Sequence, residues 1–511
     1  MEETDMVETM PFAVDANLKM VSGCPAKRMD AGHRQHVAIH AMAGTCTITQ
    51  LAAEFQVSRK FVHAQVNHVQ EALDQAFAPA PEPDCQVLFY IPVTKRWLRQ
   101  VVLALLLICH SSYRGVIEFF CDCFDLSISL GGIYNIVCDA VDKARHHNDQ
   151  MRLDQVRIGL LDEIFQLQQP VLVGIDAAST YCFLLSQQDN RDAVTWGVRL
   201  LELQDRGFNP EAFVADFGSG LRAGHALAMP GIPCRGDVFH ALQTVVPVVT
   251  ALENRAYELM NQREHLEQKA VNHQRRKGCA DKKLSQKLRY LIPAEVQAIA
   301  LADDVALLAR WLRHDVLALA GPCYADRRAL YDFIVAELRG RAGLCPHRLE
   351  PLYQFLENHR DQILSFAEQL DRDLAALASD FRVANEAVRD LLRLQTLADT
   401  NPRRWQLEAS LRRLLRDRFH ALQAAVRELA ERTVRASSAI ENLNSRLRKY
   451  FFLRRQLGSD YLVLLQFYLN HRRFPRSEHR ERVDKSPAEL LTGQLHPHWL
   501  EMLGYNRFSR N

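Results

Sequence analysis

At 511 residues, with 48% apolar side chains and a net charge of +2, the chain has material for three or four globular domains and no average charge that selects a partner. Its 12 cysteines include no Cys-x-x-Cys pair, and Cys121 and Cys123 stand too close for half of a zinc knuckle, so the thiols read as reduced and unligated. The longest apolar run, Val101–Cys109, is far short of a membrane span, and the acidic N-terminus is no secretory signal, so the chain reads as cytoplasmic with no membrane partner.

Residues 1–30 mix acids, Pro and Gly without periodicity and read as a loose leader. Residues 31–76 carry a helical pattern, then TITQLAAEF (47–55), the break QVS (56–58) and RKFVHAQVNHVQEAL (59–73), which is helix-turn-helix spacing. Ser58 is placed to cap the second helix. Arg59, Lys60 and His63 then open a recognition helix, where side chains reach base edges or phosphates. An ordinary helical pair fits the same pattern. Residues 77–94 open with the Pro-rich FAPAPEPD and read as a linker. Residues 95–150 repeat the helix-turn-helix layout and form a second helical module, for DNA or for holding two protomers together.

Residues 151–242 change character. RIGLLDEIF (157–165), VLVGIDAAS (171–179) and YCFLLSQ (181–187) are too short for buried helices and rich in branched and aromatic residues, so they read as strands. A helix over 191–206, a strand in EAFVADF, a short helix over 221–229 and a strand in GIPCRGD follow. Strand, strand, strand, helix, strand, helix, strand is the order of a ribonuclease-H-like core. There the first and fourth strands are neighbours, so Asp162 and Asp216 face each other and can hold a divalent ion through hard oxygens. Asp176 is a rival first ligand. Choosing it leaves one strand before the helix and an incomplete hairpin, so Asp162 is preferred. Glu163, on the opposite strand face, points away. Asp237 and His240 lie one helical turn apart, and the functional reading has Asp237 orienting a His240 that approaches the scissile phosphate. A helix cap with a packed histidine is the structural alternative.

Residues 243–434 show only helical spacing, broken at Gly321-Pro322, Gly343–Pro346 and Asn401-Pro402, and read as an all-α insertion. Residues 435–511 return to the core with the final catalytic helix and a basic tail. Glu441 in SSAIENLNSRLRKYFFLRRQ sits among Asn442, Asn444 and Ser445 and is followed by Arg446, Arg448, Lys449, Arg454 and Arg455, a setting that suits metal and DNA backbone together. A capping box of Ser438 and Glu441 is the plainer alternative. Residues 435–485 carry 12 Lys and Arg against 5 Asp and Glu, and residues 263–289 carry 9 against 3. Such local excesses can bind phosphates or simply be solvated helix faces. The expected fold is therefore multidomain and mainly α, with helix-turn-helix modules and an α/β ribonuclease-H-like core interrupted by a long all-α insertion.

From Asp162 to Gly493 the chain resembles DDE transposases, in particular bacterial insertion-sequence enzymes with a helical insertion before the last acid. Asp162, Asp216 and Glu441 stand in the order of the acidic triad. Asp237-Val-Phe-His240 is similar to the Asp/Cys-x-x-His signature of the hAT and Mutator-like groups, and Ser486-Pro-Ala-Glu-Leu-Leu-Thr-Gly493 to a common transposase tail. The resemblance implies two Mg²⁺ ions, with Mn²⁺ able to substitute, held by Asp162, Asp216 and Glu441. It implies double-stranded DNA as partner, both transposon terminal inverted repeats and target, with cleavage and strand transfer. It also implies a homodimer or higher oligomer on DNA in a bacterial, nucleoid-associated setting. Related insertions carry an aromatic residue that stacks a flipped base, which marks Trp405 and Trp311. Two other readings stand beside this one: a non-catalytic, transposase-derived DNA-binding regulator, and a junction-resolving nuclease of the same fold.

Overall fold

The computed structural model describes residues 26, 29–78, 91–435, 437–453 and 458–507. Most of the leader, residues 79–90 of the linker, and both Arg454 and Arg455 lie outside the described residues. The chain is mainly helical with one small mixed sheet and divides into two compact units, residues 1–92 and 93–511. Among the described residues no helix is long and apolar enough to cross a membrane.

In the first unit α1 (Ala31–Met42), α2 (Ile48–Glu54) and α3 (Arg59–Ala76) close around Val37, Leu51, Ala52 and Val62. Ser58 caps α3, its Oγ accepting from Phe61 N–H at 3.1 Å. That bond satisfies one of the orphan donors of the first turn.

The second unit opens with α4 (Lys95–Leu107), α5 (Tyr113–Phe124) and α6 (Leu130–Gln150). The sheet follows, with β1 (Ile158–Gln166), β2 (Gln169–Asp176), β3 (Cys182–Gln187), α7 (Ala193–Gln204), β4 (Ala212–Ala215), α8 (Ser219–Ala228) and β5 (Cys234–Gly236). The strand order is β3-β2-β1-β4-β5. β1 runs antiparallel to β2 and parallel to β4, and β5 is parallel to β4.

The two-residue period of the strands splits the sheet's side chains between two cores. Leu160, Ile164, Val173, Ile175 and Val214 face one side and join α4–α6 in a single core. Leu161, Leu172, Phe183, Phe213 and Ala215 face the other side, against Trp196 and Leu200 of α7 and Leu221 of α8. Residues 95–150 thus share a hydrophobic core with the sheet. Buried apolar area is the main cohesive term in such a core, so they are structurally part of this unit.

The glycines after β4 let α7 and α8 approach closely. A Cβ on Gly220 would lie 2.0 Å from the carbonyl oxygen of Arg191, and one on Gly224 would lie 2.5 Å from Trp196 Cβ. Alanine at position 220 gains up to about 1 kcal/mol of helix propensity. A backbone clash outweighs that, and overpacking costs about 1–3 kcal/mol. Gly220→Ala is therefore expected to lower the unfolding free energy, read from denaturant titration, despite the better helix former.

The insertion comprises α9 (Val238–Lys277), α10 (Lys282–Trp311), α11 (Tyr324–Arg341), α12 (Pro346–Asp380), α13 (Asn385–Thr396), α14 (Pro402–Leu415) and α15 (Phe419–Arg432). It has two cores of its own, one over α9–α12 and one over α12–α15, both using α12. The chain then returns through α16 (Ser438–Leu453), α17 (Gly458–His471), α18 (Pro487–Thr492) and α19 (Trp499–Met502). α16 and α17 pack on the same sheet face as α4–α6.

The insertion leaves and re-enters at one point. Val238 N–H donates to Arg435 C=O at 3.0 Å, so the two ends of a nearly 200-residue excursion are hydrogen-bonded together. This explains how so long an insertion leaves the sheet intact: its ends need only a fixed neck.

Candidate metal and phosphate site

Three carboxylates arrive from three elements. Asp162 is on β1, one residue past the Leu161–Ala215 pairing, and Asp216 directly follows β4. Their strand parity places both on the face that α16 covers, the side of Leu160, Ile164 and Val214. Glu441 is in the first turn of α16, and Asn444, three residues on, lies over the same stretch of helix face. The buried Asn444 donates from Nδ2 to Asp162 Oδ2 at 2.6 Å, which docks this helix face onto β1.

Asp162 carries the electrostatic signature of the group. Its carboxyl is pushed up to about 7, first by burial and then by the charges of Asp216 and Glu441, against the lowering pull of Glu163 N–H and Asn444. Asp162 therefore lies within the field of both other acids. Asp216 and Glu441 have other partners as they stand. Asp216 Oδ1 accepts from Gly218 N–H at 3.1 Å, and Glu441 Oε2 lies 4.0 Å from Arg448. Among the described residues, no three His, Cys, Asp or Glu side chains are already gathered as a metal cage. The donor set nonetheless suits a hard cation: three carboxylates, plus the Oδ1 of Asn444, buried and without a hydrogen-bond partner.

A pH dependence follows. In the folded protein Asp162 keeps its proton up to about pH 7, whereas an unfolded aspartate releases it near 4. Cation binding needs the carboxylate, so affinity is held down below 7 and rises as pH climbs toward it. We expect Mn²⁺ affinity, followed by calorimetry, to increase about tenfold per pH unit below 7 and to level off above. Asp162→Asn should flatten that rise.

Asp176, the rival first ligand, is committed elsewhere. Its Oδ2 accepts from Ser179 N–H at 2.7 Å and Ser179 Oγ at 2.6 Å, organising the β2–β3 turn opposite Gly159. Glu163 points away from Asp162, accepting from Trp196 Nε1 at 2.8 Å and pairing with Arg191 at 3.1 Å.

Asp237 takes the helix-capping role that the sequence offered as the structural alternative. Its Oδ1 accepts from Phe239 N–H at 2.8 Å, capping α9, and from Ser437 N–H at 3.3 Å. Its Oδ2 takes the Ser437 hydroxyl. Asp237 thereby has both oxygens engaged at the neck. It ties the start of the insertion to the residue before α16, whose C=O receives Glu441 N–H at 3.0 Å. His240 itself is half-buried with its ring 6.1 Å from Phe217, the residue after Asp216.

Two neighbours of this site are not singled out by the sequence reading. Arg222 donates to four backbone carbonyls, Asp216 at 2.8 Å, Cys234 at 2.8 Å, Ala215 at 2.9 Å and Arg235 at 3.1 Å, and so locks the ends of β4 and β5. His359, from α12 of the insertion, packs on Phe217 with ring centroids 4.6 Å apart. A charged residue on the short apolar helix LRAGHAL is a usable signal for Arg222. None existed for His359.

The basic series divides. Arg448 and Lys449 are exposed, but Arg446 turns inward beside Tyr450 and Tyr468, and burial pushes its guanidinium below the usual value. It therefore does not belong to an outer phosphate-binding face. Arg59, Lys60 and His63 are exposed at the start of α3. Trp405 is 62% exposed, its Nε1 donating to Asp399 C=O at 3.1 Å, while Trp311 packs half-buried against the first insertion core. The tail motif is a completely capped helix: Ser486 and Glu489 form a capping box, Pro487 fills the first turn, and Gly493 ends α18 at φ 68°. Glu489 also pairs with Arg473 at 2.7 Å, and Ser486 Oγ lies 2.6 Å from His496 Nε2.

No protein-family model matches the chain, and a search of curated proteins finds no significant match.

Proposed function

We propose that the protein is a metal-dependent DNA strand-cleaving and strand-transferring enzyme of the DDE transposase kind, with Asp162, Asp216 and Glu441 as its ligand set. The observation that carries this reading is the convergence of three carboxylates from β1, the end of β4 and the start of α16, where the charges of Asp216 and Glu441 add to burial in raising Asp162 to about 7. The sheet order β3-β2-β1-β4-β5, with β2 antiparallel, supports a ribonuclease-H-like core. Two Mg²⁺ ions, when bound, supply an activated water and a stabilised leaving oxygen.

The chain's own residues do the positioning. Asn444 holds the Asp162 carboxylate against α16, and Arg222 fixes the backbone under Asp216. The Asp237–Ser437 link fixes the turn that presents Glu441. His240 and His359 flank Phe217 at the insertion side, where a DNA phosphate entering the site would lie. Arg59, Lys60 and His63 would read or grip duplex DNA from α3.

One observation favours the alternative of a non-catalytic DNA-binding regulator, namely the nearness of Glu441 to Arg448. A cleavage assay separates the two readings. Duplexes drawn from the flanks of the gene, incubated with the protein and Mg²⁺, should yield 3′-OH nicks at short inverted repeats and joined products. Binding to those repeats without any nick in Mg²⁺ or Mn²⁺ would leave the regulator reading.

A further inference from the structure

α9 and α10 form a long antiparallel hairpin whose outer part belongs to no core. The last residues they give to the insertion's first core are Ala256 and Ala298. From Ala256 to Lys277, at 1.5 Å per residue, the hairpin extends about 30 Å further. Asp281 caps the return helix through Lys283 N–H at 2.8 Å, and Gly278 makes the turn at φ 65°. An ion pair of 2.7 Å between Arg263 and the buried Glu295 braces its base. The hairpin is thus built as a stiff arm, although it buries little apolar surface.

Its end is strongly basic. Lys269, Arg275, Arg276, Lys277, Lys282, Lys283, Lys287 and Arg289 are all exposed and form no ion pair with any described residue. Asp281, the acid at the turn, is instead 3.7 Å from His273. Three consecutive cations at 275–277 point about 100° apart, so charge encircles the tip. A helix that lies on a membrane segregates an apolar face from a charged one, which this tip does not do. Eight cations lie within roughly 12 Å of helix length. Duplex DNA carries about one charge per 1.7 Å, or about seven over that length, so the densities match. The exposed Tyr290 beside Arg289 adds an aromatic side chain among the cations.

We propose that this arm is a second nucleic-acid contact, gripping the phosphate backbone of a duplex without regard to sequence and far from the three carboxylates. It rests on the reading of the protein as a DNA-acting enzyme, and assigns to the insertion a clamp role that the carboxylate site does not require.

The test is the salt dependence of binding to a 30-bp duplex of random sequence by the full chain. The combined variant Arg275→Gln, Arg276→Gln, Lys277→Gln, Lys282→Gln and Lys283→Gln alters only exposed side chains, and its unfolding midpoint should match the parent. Each phosphate that a cation neutralises adds about 0.9 to the slope of log K against log salt, so five neutralised side chains flatten it by up to about 4.5. A flattening of about 2 or more supports the arm. An unchanged slope, no binding of the random duplex by the parent, or a loss confined to vesicles of phosphatidylserine would overturn it. Failure of metal-dependent cleavage with the slope effect intact would sink the enzymatic reading and spare the arm.

Discussion

Asp162→Asn, Asp216→Asn and Glu441→Gln should each lose about a thousandfold or more of Mg²⁺-dependent strand cleavage while duplex binding persists. The magnitude follows from the charge that each carboxylate contributes. A metal's stabilisation of a phosphoryl-transfer transition state is worth several kcal/mol. At about 1.4 kcal/mol per decade, losing most of it costs roughly three decades or more. The three variants should fail alike, because a two-metal site missing one ligand no longer holds both ions in place. Asp176→Asn makes the contrast. Its carboxylate serves the Ser179 turn, so it should cost stability and leave the cleavage rate per folded molecule near the parent's. Cleavage by a triad variant at the parent rate would remove that residue from the site. Loss in Asp176→Asn at full stability would reopen the choice between the two aspartates.

Asp237→Ala should be the most destabilising single change at the neck, by about 2–4 kcal/mol. It removes the cap of α9, a loss of about 1 kcal/mol, and strands the buried N–H of Ser437, at about 1–3 kcal/mol for a group left unpaired. Asp237→Asn keeps an acceptor oxygen and should recover a good part of that loss. The effect should reach the chemistry as well, since Ser437 begins the turn that carries Glu441. His240→Ala separates the two roles. If Asp237 acts on the neck, its alanine variant shifts denaturant unfolding and His240→Ala does not. If both variants lower cleavage equally with unchanged unfolding, Asp237 works through His240 after all.

How much of this is legible in the sequence depends on whether the signal is local. Each of the first four strands is an apolar run bounded by turn residues, and the order of the elements separates Asp162 from Asp176. The Ser58 cap is readable because a cap is an interaction across three residues. Longer-range facts are not. The Asp237–Ser437 link joins residues 200 positions apart, and nothing in either neighbourhood names the other. Residues 95–150 read as a second helical module, because an amphipathic helix shows that it buries a face without showing what covers it. The basic series misleads for a geometric reason. Arg446 and Arg448 stand about 200° apart on a helix, so both cannot meet one DNA surface. Arg446 goes inward with Leu447 and Tyr450. His359 comes from the insertion, where helical periodicity reports only on packing.

The most direct measurement is the anomalous diffraction of crystals soaked in Mn²⁺. We expect manganese between Asp162, Asp216 and Glu441, with Glu441 drawn off Arg448 to become a ligand. Manganese bound at surface carboxylates only, with Glu441 still on Arg448, would contradict the shared three-carboxylate site.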